Sequence, residues 1–201
     1  MFRQDRTNPS TAVSNWKGRR DSKKGHPQTA VSTWLNAGLF GAPFLATGGT
    51  ETTHGAYKVH TFLSSANFVI VSGASPAIDI LIVAGGGSGA FEADCGGGGA
   101  GGMITQAVSA GRSASTNAVV IGAGGAGISG TSGNGNPGVD SDITIGGSTY
   151  TAEGGGASVL GYIAATLDGG SGAGGSHSGW SAYAGGVGTA GQGNDGGTPG
   201  V

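Results

Sequence analysis

The apolar run Ile78 to Ala84 leads directly into Gly85-Gly86-Gly87-Ser88-Gly89-Ala90, which matches in letters the G-x-G-x-x-G/A loop that seats a dinucleotide pyrophosphate. That chemistry needs a helix next, whose N-terminal N–H groups face the phosphates, and an acid about 20 residues further on for the ribose. Another glycine run follows instead, and no acid stands near Thr105. Gly191-Gln192-Gly193-Asn194-Asp195 matches part of a calcium-binding nonapeptide, but that motif works in tandem turns and occurs here in one copy. Asp140 and Asp142 could offer oxygens to calcium, yet the rest of an EF-hand loop is missing. His26, His54, His60 and His177 lack metal-ligand spacing, and the single Cys95 excludes both an intrachain disulfide framework and a cysteine zinc site. No serine stands in a convincing nucleophile elbow. The expectation is a protein with no catalytic step, no cofactor and no bound metal.

The elements that would position any site come from an unusual composition. The chain has 201 residues, of which 47 are Gly, 36% are apolar and 10% are charged. Ordinary globular chains carry about 7% Gly and about 25% charged residues. Only eight glycines precede residue 85, so the remaining 117 residues are one-third glycine, without a strict Gly-X-Y register that would make collagen. Charge is as uneven as glycine. Residues 1–24 hold seven of the nine basic residues against two acids, and the remainder holds Lys58 and Arg112 against nine acids. No apolar stretch approaches the length of a membrane span, and the first residues lack the apolar run of a secretion signal. A chain made in the cytoplasm, without membrane insertion, is expected.

Residues 1–47 read as an extended basic arm, broken by Asn8-Pro9, His26-Pro27 and Ala42-Pro43. Within it Thr11-Ala12-Val13-Ser14-Asn15-Trp16 recurs as Thr29-Ala30-Val31-Ser32-Thr33-Trp34. Thr-Ala-Val-Ser is β-prone and a terminal Trp is a large interface anchor, so each copy suits a docking peptide. Val13, Trp16, Val31 and Trp34 would be its anchors. Two copies on one tether raise avidity on a symmetric partner. Arg19 and Arg20 lie in the basic cluster between the copies and would steer docking onto an acidic protein surface. No nucleic-acid-binding motif accompanies the cluster, and nucleic acid is not the expected partner.

Residues 48–201 read as one glycine-rich domain, mostly β and irregular. Tyr57 to Leu63 and Asn67 to Val71 alternate apolar and polar residues around Ser64-Ser65-Ala66 and predict a β-hairpin. Ala77 to Ala84 is a nearly continuous apolar run that predicts a strand buried on both faces. Shorter strands are predicted at Gly102 to Thr105, Ala118 to Ile121, Asp142 to Ile145 and Tyr150 to Ala152. Between them lie the glycine tracts. Glycine carries the highest ordering entropy, so such tracts default to linkers. Their alternation with strand-quality segments points instead to extended left-handed helices of polyglycine II type, packed backbone against backbone.

These segments resemble the glycine-rich domain at the ends of bacteriophage tail fibres and tail-fibre adhesins. The likeness rests on Gly55 to Phe62, on Ile80-Leu81-Ile82-Val83-Ala84-Gly85-Gly86-Gly87-Ser88-Gly89, on Gly96 to Gly102, on Val119-Val120-Ile121-Gly122-Ala123-Gly124-Gly125-Ala126-Gly127, and on Tyr150 to Gly156. The family usually closes on a strand rich in Val and Ile, where this sequence ends Pro199-Gly200-Val201. The resemblance implies a virion protein, homotrimeric as symmetric fibres often are, with a rigid scaffold presenting loops to a host glycan or protein. It would join other virion proteins through residues 1–47. The loops are Phe91 to Cys95, Gly130 to Asp140, Leu160 to Asp168 and His177 to Tyr183, with His177, Trp180 and Tyr183 as the contact candidates. A capsid decoration protein and a non-viral ice-binding or lectin-like protein are the alternatives.

Overall fold

The computed structural model describes residues 44–73, 77–91, 95–109, 114–130, 132–160, 167–178 and 181–200. The chain divides into two units, Met1–Ala42 and Pro43–Val201. The first unit, with the docking candidates Val13, Trp16, Arg19, Arg20, Val31 and Trp34, lies outside the described residues.

The second unit is mostly β at one end and glycine tracts at the other. Its strands are β1 (Leu45–Thr47), β2 (Thr50–His54), β3 (Tyr57–Thr61), β4 (Ala66–Ser72), β5 (Ala77–Val83), β6 (Met103–Ser109), β7 (Ser115–Val120), β8 (Ser141–Ile145) and β9 (Ser148–Ala152). The ribbon of β10 (His177–Ser178) and β11 (Ser181–Ala182) completes them. An antiparallel sheet runs β1-β4-β7-β8-β9, while β2–β3 and β5–β6 each form a separate two-stranded sheet. Because β1 pairs with β4, the folded unit begins upstream of the boundary expected at residue 48.

The core lies between the five-stranded sheet and the β5–β6 hairpin. Phe68 and Ile70 of β4, Val119 of β7, Ile143 and Ile145 of β8 and Ala152 of β9 pack with Ile82 of β5 and Val108 of β6. Full burial of each large aliphatic side chain contributes about 1.5–3 kcal/mol. Asn117, the buried polar residue of β7, is satisfied by donating from Nδ2 to the Phe68 carbonyl and to Ser115 Oγ, both at 3.1 Å.

Two strand expectations are corrected. β3 pairs backwards with β2, not forwards with β4, because Gly55 adopts φ 59° and closes a tight turn between His54 and Tyr57. β5 is buried on one face only: Ile82 is 9% exposed, while Leu81 is 64% and Val83 54% exposed. The run is apolar on both faces, but only the inner face meets the core.

Tracts 84–91, 96–102, 121–130, 132–140 and 153–159 each continue a strand. Residues 84–91 leave β5 and residues 96–102 enter β6, with Ala84 N–H donating to Gly102 O at 3.0 Å and Gly87 N–H to Gly99 O at 2.8 Å. The partners of the 84–91 tract then rotate. Gly85, Ser88 and Phe91 donate to the carbonyls of Val139, Asn136 and Gly133, and the Gly85 and Ser88 carbonyls accept from Gly155 and Ser158. Bonds toward a given neighbour therefore recur every three residues, against every two in a strand. The same step links Gly99 and Gly102 to Gly156 and Glu153, Ser171 and Gly174 to Ala100 and Gly97, and Tyr183, Gly186 and Thr189 to Ser176, Ala173 and Gly170. These bonds run between tracts, so each tract is held by its neighbours.

Close approach is what makes glycine necessary here. A Cβ on Gly156 would land on the Leu167 carbonyl oxygen, far inside contact distance, and one on Gly85 would land on the Ala123 carbonyl oxygen.

Candidate functional site: the loop end of the glycine bundle

The antiparallel steps fix where the turns fall. Tract 84–91 departs from the sheet and tract 96–102 returns, so Phe91 and Cys95 lie at the end remote from the sheet. The tract after β7 and the tract before β8 do the same, since Val139 N–H meets the Ala123 carbonyl at 2.9 Å and Asn136 Nδ2 meets the Ala126 carbonyl at 2.8 Å. Tract 153–159 runs outward beside 85–88, and the pairing of Ser176 with Tyr183 puts β10 and β11 at the same end.

Contacts tie these connections together. Phe91 and Gly133 exchange backbone bonds at 2.9 and 3.2 Å. Asn134 Oδ1 accepts from Leu160 N–H at 2.8 Å. Beneath them Val159, Leu167 and Ala173 form a second small core, and the hydroxyls of Ser158 and Ser176 are buried with no hydrogen-bond partner. Leu167 is brought back into the bundle by donation from Ala173 N–H to its carbonyl at 2.7 Å.

Among the contact candidates, His177 sits in β10 opposite Ala182 of β11, and Tyr183 follows directly, its N–H donating to the Ser176 carbonyl at 2.8 Å. Trp180 lies outside the described residues. The structure therefore brings His177 and Tyr183 to one ribbon at the loop end.

Asp140 stands next to β8, its Oδ1 accepting from Gly154 N–H at 2.8 Å, and Asp168 Oδ1 accepts from Val187 N–H at 2.6 Å. Asp195, in the segment that resembles a calcium repeat, accepts from Gly188 N–H at 2.8 Å. These carboxylates complete the lattice where backbone acceptors run out. Among the described residues no group of three or more His, Cys, Asp or Glu side chains converges as a metal site. The six residues that match a dinucleotide loop lie inside tract 84–91, where the backbone of Gly85, Gly87 and Ser88 is already bonded to other tracts. Among the described residues no N-terminal turn of a helix faces them. Among the described residues no helix is long and apolar enough to cross a membrane.

The arrangement defines a class: a strand-anchored glycine bundle whose connections gather at one end. The family model of the glycine-rich domain matches residues 61–201, and the chain belongs to that family. No curated protein and no solved structure matches the chain.

Proposed function

We propose that the chain is a virion structural protein, a tail fibre or tail-associated adhesin, whose glycine bundle holds a recognition surface at its loop end. The observation that carries this reading is the convergence of Phe91, Gly133, His177 and Tyr183 on one end of a bundle held mostly by backbone bonds. Such a bundle tolerates changes in most of its connections, because most of its bonds join backbone to backbone. The tracts are polyglycine II helices in this reading: a bond direction that returns every three residues is what three residues per turn produces. In this reading His177 and Tyr183, with Trp180 between them in sequence, are the contact residues for a host glycan or protein. The basic arm, with its two Trp-ended copies, docks the protein to the particle.

The test is a count of this chain against the major capsid protein in purified particles, by quantitative mass spectrometry. A small fixed number per particle is expected, together with its loss from particles when residues 1–34 are deleted. Copy numbers comparable with the capsid protein would move the protein to capsid decoration. Absence from particles would overturn the virion reading.

A further inference from the structure

An asparagine followed by glycine is prone to close on itself, because no glycine side chain shields the next backbone nitrogen from the carboxamide carbon. Of the eight asparagines in the chain, only Asn134 precedes a glycine. Asn8 and Asn136 precede prolines, which have no N–H to lose, and Asn194 precedes Asp195. Asn134 stands exposed at the loop end, where water reaches it.

Both reacting groups are held by one neighbouring segment. Gly135 N–H donates to the Ser158 carbonyl at 2.8 Å, and Asn134 Oδ1 accepts from Leu160 N–H at 2.8 Å. The same clamp recurs. Asp195 Oδ1 accepts from Gly188 N–H while Gly196 N–H donates to the Gly186 carbonyl, both at 2.8 Å. Asp168 Oδ1 and Gly169 N–H take the N–H and the carbonyl of Val187, at 2.6 and 3.2 Å. Every Asn-Gly and Asp-Gly step of the sequence is bonded in this way. Ring closure and bundle bonding therefore compete for the same atoms, and in the folded chain the bundle holds them.

We propose that Asn134-Gly135 is a self-modification site, closed while residues 132–136 lie on 158–160 and reactive when they lift away. Once released, the Gly135 nitrogen gives its proton to water or hydroxide and adds to Asn134 Cγ. The Cγ–Nδ2 bond breaks, and Nδ2 leaves as ammonia. Water then opens the five-membered imide. Cleavage of its bond to Cγ gives aspartate; cleavage of its bond to the backbone carbonyl carbon gives isoaspartate, with the chain running through Cβ and Cγ. Nothing is oxidised or reduced, and water is the only co-reactant. The two products differ in the bundle. Aspartate keeps an acceptor for Leu160 N–H. Isoaspartate inserts one backbone atom between Gly135, anchored on Ser158, and Gly133, which exchanges bonds with Phe91 at 2.9 and 3.2 Å, so both anchors cannot be met. The modification records an opening of the loop end and makes it permanent.

The test is peptide mass spectrometry of the full chain aged at neutral pH, with isoaspartate separated from aspartate by fragmentation. In the urea-unfolded chain Asn134 should react ahead of the other asparagines. In the folded chain it should react about tenfold or more slowly, since a local opening must come first. The wild-type rate should climb with urea below the unfolding transition. Leu160→Pro removes the N–H that Asn134 accepts and should speed the reaction, whereas Leu160→Ala keeps that N–H and should not. If Leu160→Pro fails to fold, the wild-type urea series still decides. Amide exchange at Phe91 and Gly133 should quicken in the isoaspartate chain and stay slow in Asn134→Asp. A folded chain that reacts at the unfolded rate, or a rate flat below the transition, overturns the proposal. So does a folded Leu160→Pro chain no faster than Leu160→Ala, or an isoaspartate chain in which Phe91 and Gly133 stay protected.

Discussion

In the five-stranded sheet, water is excluded by Phe68, Ile70, Val119, Ile143 and Ile145, and the backbone bonds merely set the register of the side chains. In the glycine bundle the order is reversed. Residues 154–156 are packed without any side chain, and the backbone bonds to Gly85, Gly99, Gly138, Gly170 and Ser171 are the packing. A sheet face tolerates a range of apolar shapes because neighbouring side chains can adjust rotamers. A tract whose neighbours are carbonyl oxygens has nothing that can adjust. The two halves should therefore respond oppositely to the same kind of change, and substitutions that add or remove one or a few carbons test this directly.

The largest effect is expected from adding a methyl group inside the bundle. Gly156→Ala drives a Cβ onto the Leu167 carbonyl and against Ala173. The cost should reach about 3 kcal/mol or more, the upper end of overpacking penalties, from a domain total of roughly 5–15 kcal/mol. Gly197→Ala makes the same chemical change where the Cβ meets nothing within 4 Å and φ is not positive. It should stabilise by about 0.4–1 kcal/mol through the unfolded chain. Urea titrations of both variants decide the matter. If Gly156→Ala proves as mild as Gly197→Ala, the close approach of the tracts is wrong.

In the sheet the damaging change is the removal of carbon. Ile70 is 1% exposed and fills the centre of the core, so Ile70→Ala should cost about 2–5 kcal/mol. The comparison sharpens if the bundle unfolds with the sheet. Tracts 84–91, 96–102, 121–130, 132–140 and 153–159 each leave or enter a strand, so fluorescence, circular dichroism and exchange of the glycine amides should share one midpoint, lowered together in the Ile70→Ala variant. Separate midpoints would mean that the bundle stands without its strands.

The alternation of strands and glycine tracts was legible because both signals are local: β-branched runs in one case, glycine frequency in the other. The β2 strand was not legible. Thr50-Glu51-Thr52-Thr53-His54 is exposed along its whole length, so no alternation of polarity marks it, and its pairing depends on the conformation of one residue, Gly55. The continuous apolar run of β5 suggested burial on both faces, since a sequence records that Leu81 and Val83 are apolar without recording whether anything covers them. At the loop end, the clustering of the connections follows from tract directions that only the long-range bonds reveal. The same holds for Asp140, Asp168 and Asp195, whose carboxylates look like surface charges or calcium ligands until their backbone N–H partners at Gly154, Val187 and Gly188 are seen.

The β2–β3 ribbon uses neither device, and it sets the lower limit of the comparison. Its residues are exposed except for His60, which hydrogen-bonds through Nδ1 with the Gly48 carbonyl at 2.8 Å and meets the Phe68 ring edge-on at 5.2 Å between centroids. Across the ribbon, Lys58 Nζ donates to Glu51 Oε2 at 2.9 Å, a diagonal cross-strand pair. The hydrogen bond from Lys58 holds the Glu51 carboxyl below its ordinary value of 4.5, reinforced by the charges of Lys58 and His60 and opposed by slight desolvation. A carboxyl whose folded pKa is lowered contributes stability that is present above 4.5 and is lost as pH falls through the lower folded value. Both partners are solvent-exposed, so the contribution is small and screened by salt. Acidification from neutral pH should therefore loosen the pairing of Thr50–His54 with Tyr57–Thr61 only below 4.5, read from cross-strand nuclear Overhauser effects, with the unfolding midpoint of the domain almost unmoved by loss of this pair. Glu51→Gln should remove the pH dependence of those cross-strand signals and leave the Gly156→Ala and Ile70→Ala penalties as they are. A Glu51→Gln variant that lowered the global midpoint as much as Ile70→Ala would show that the ribbon carries packing which its exposure denies.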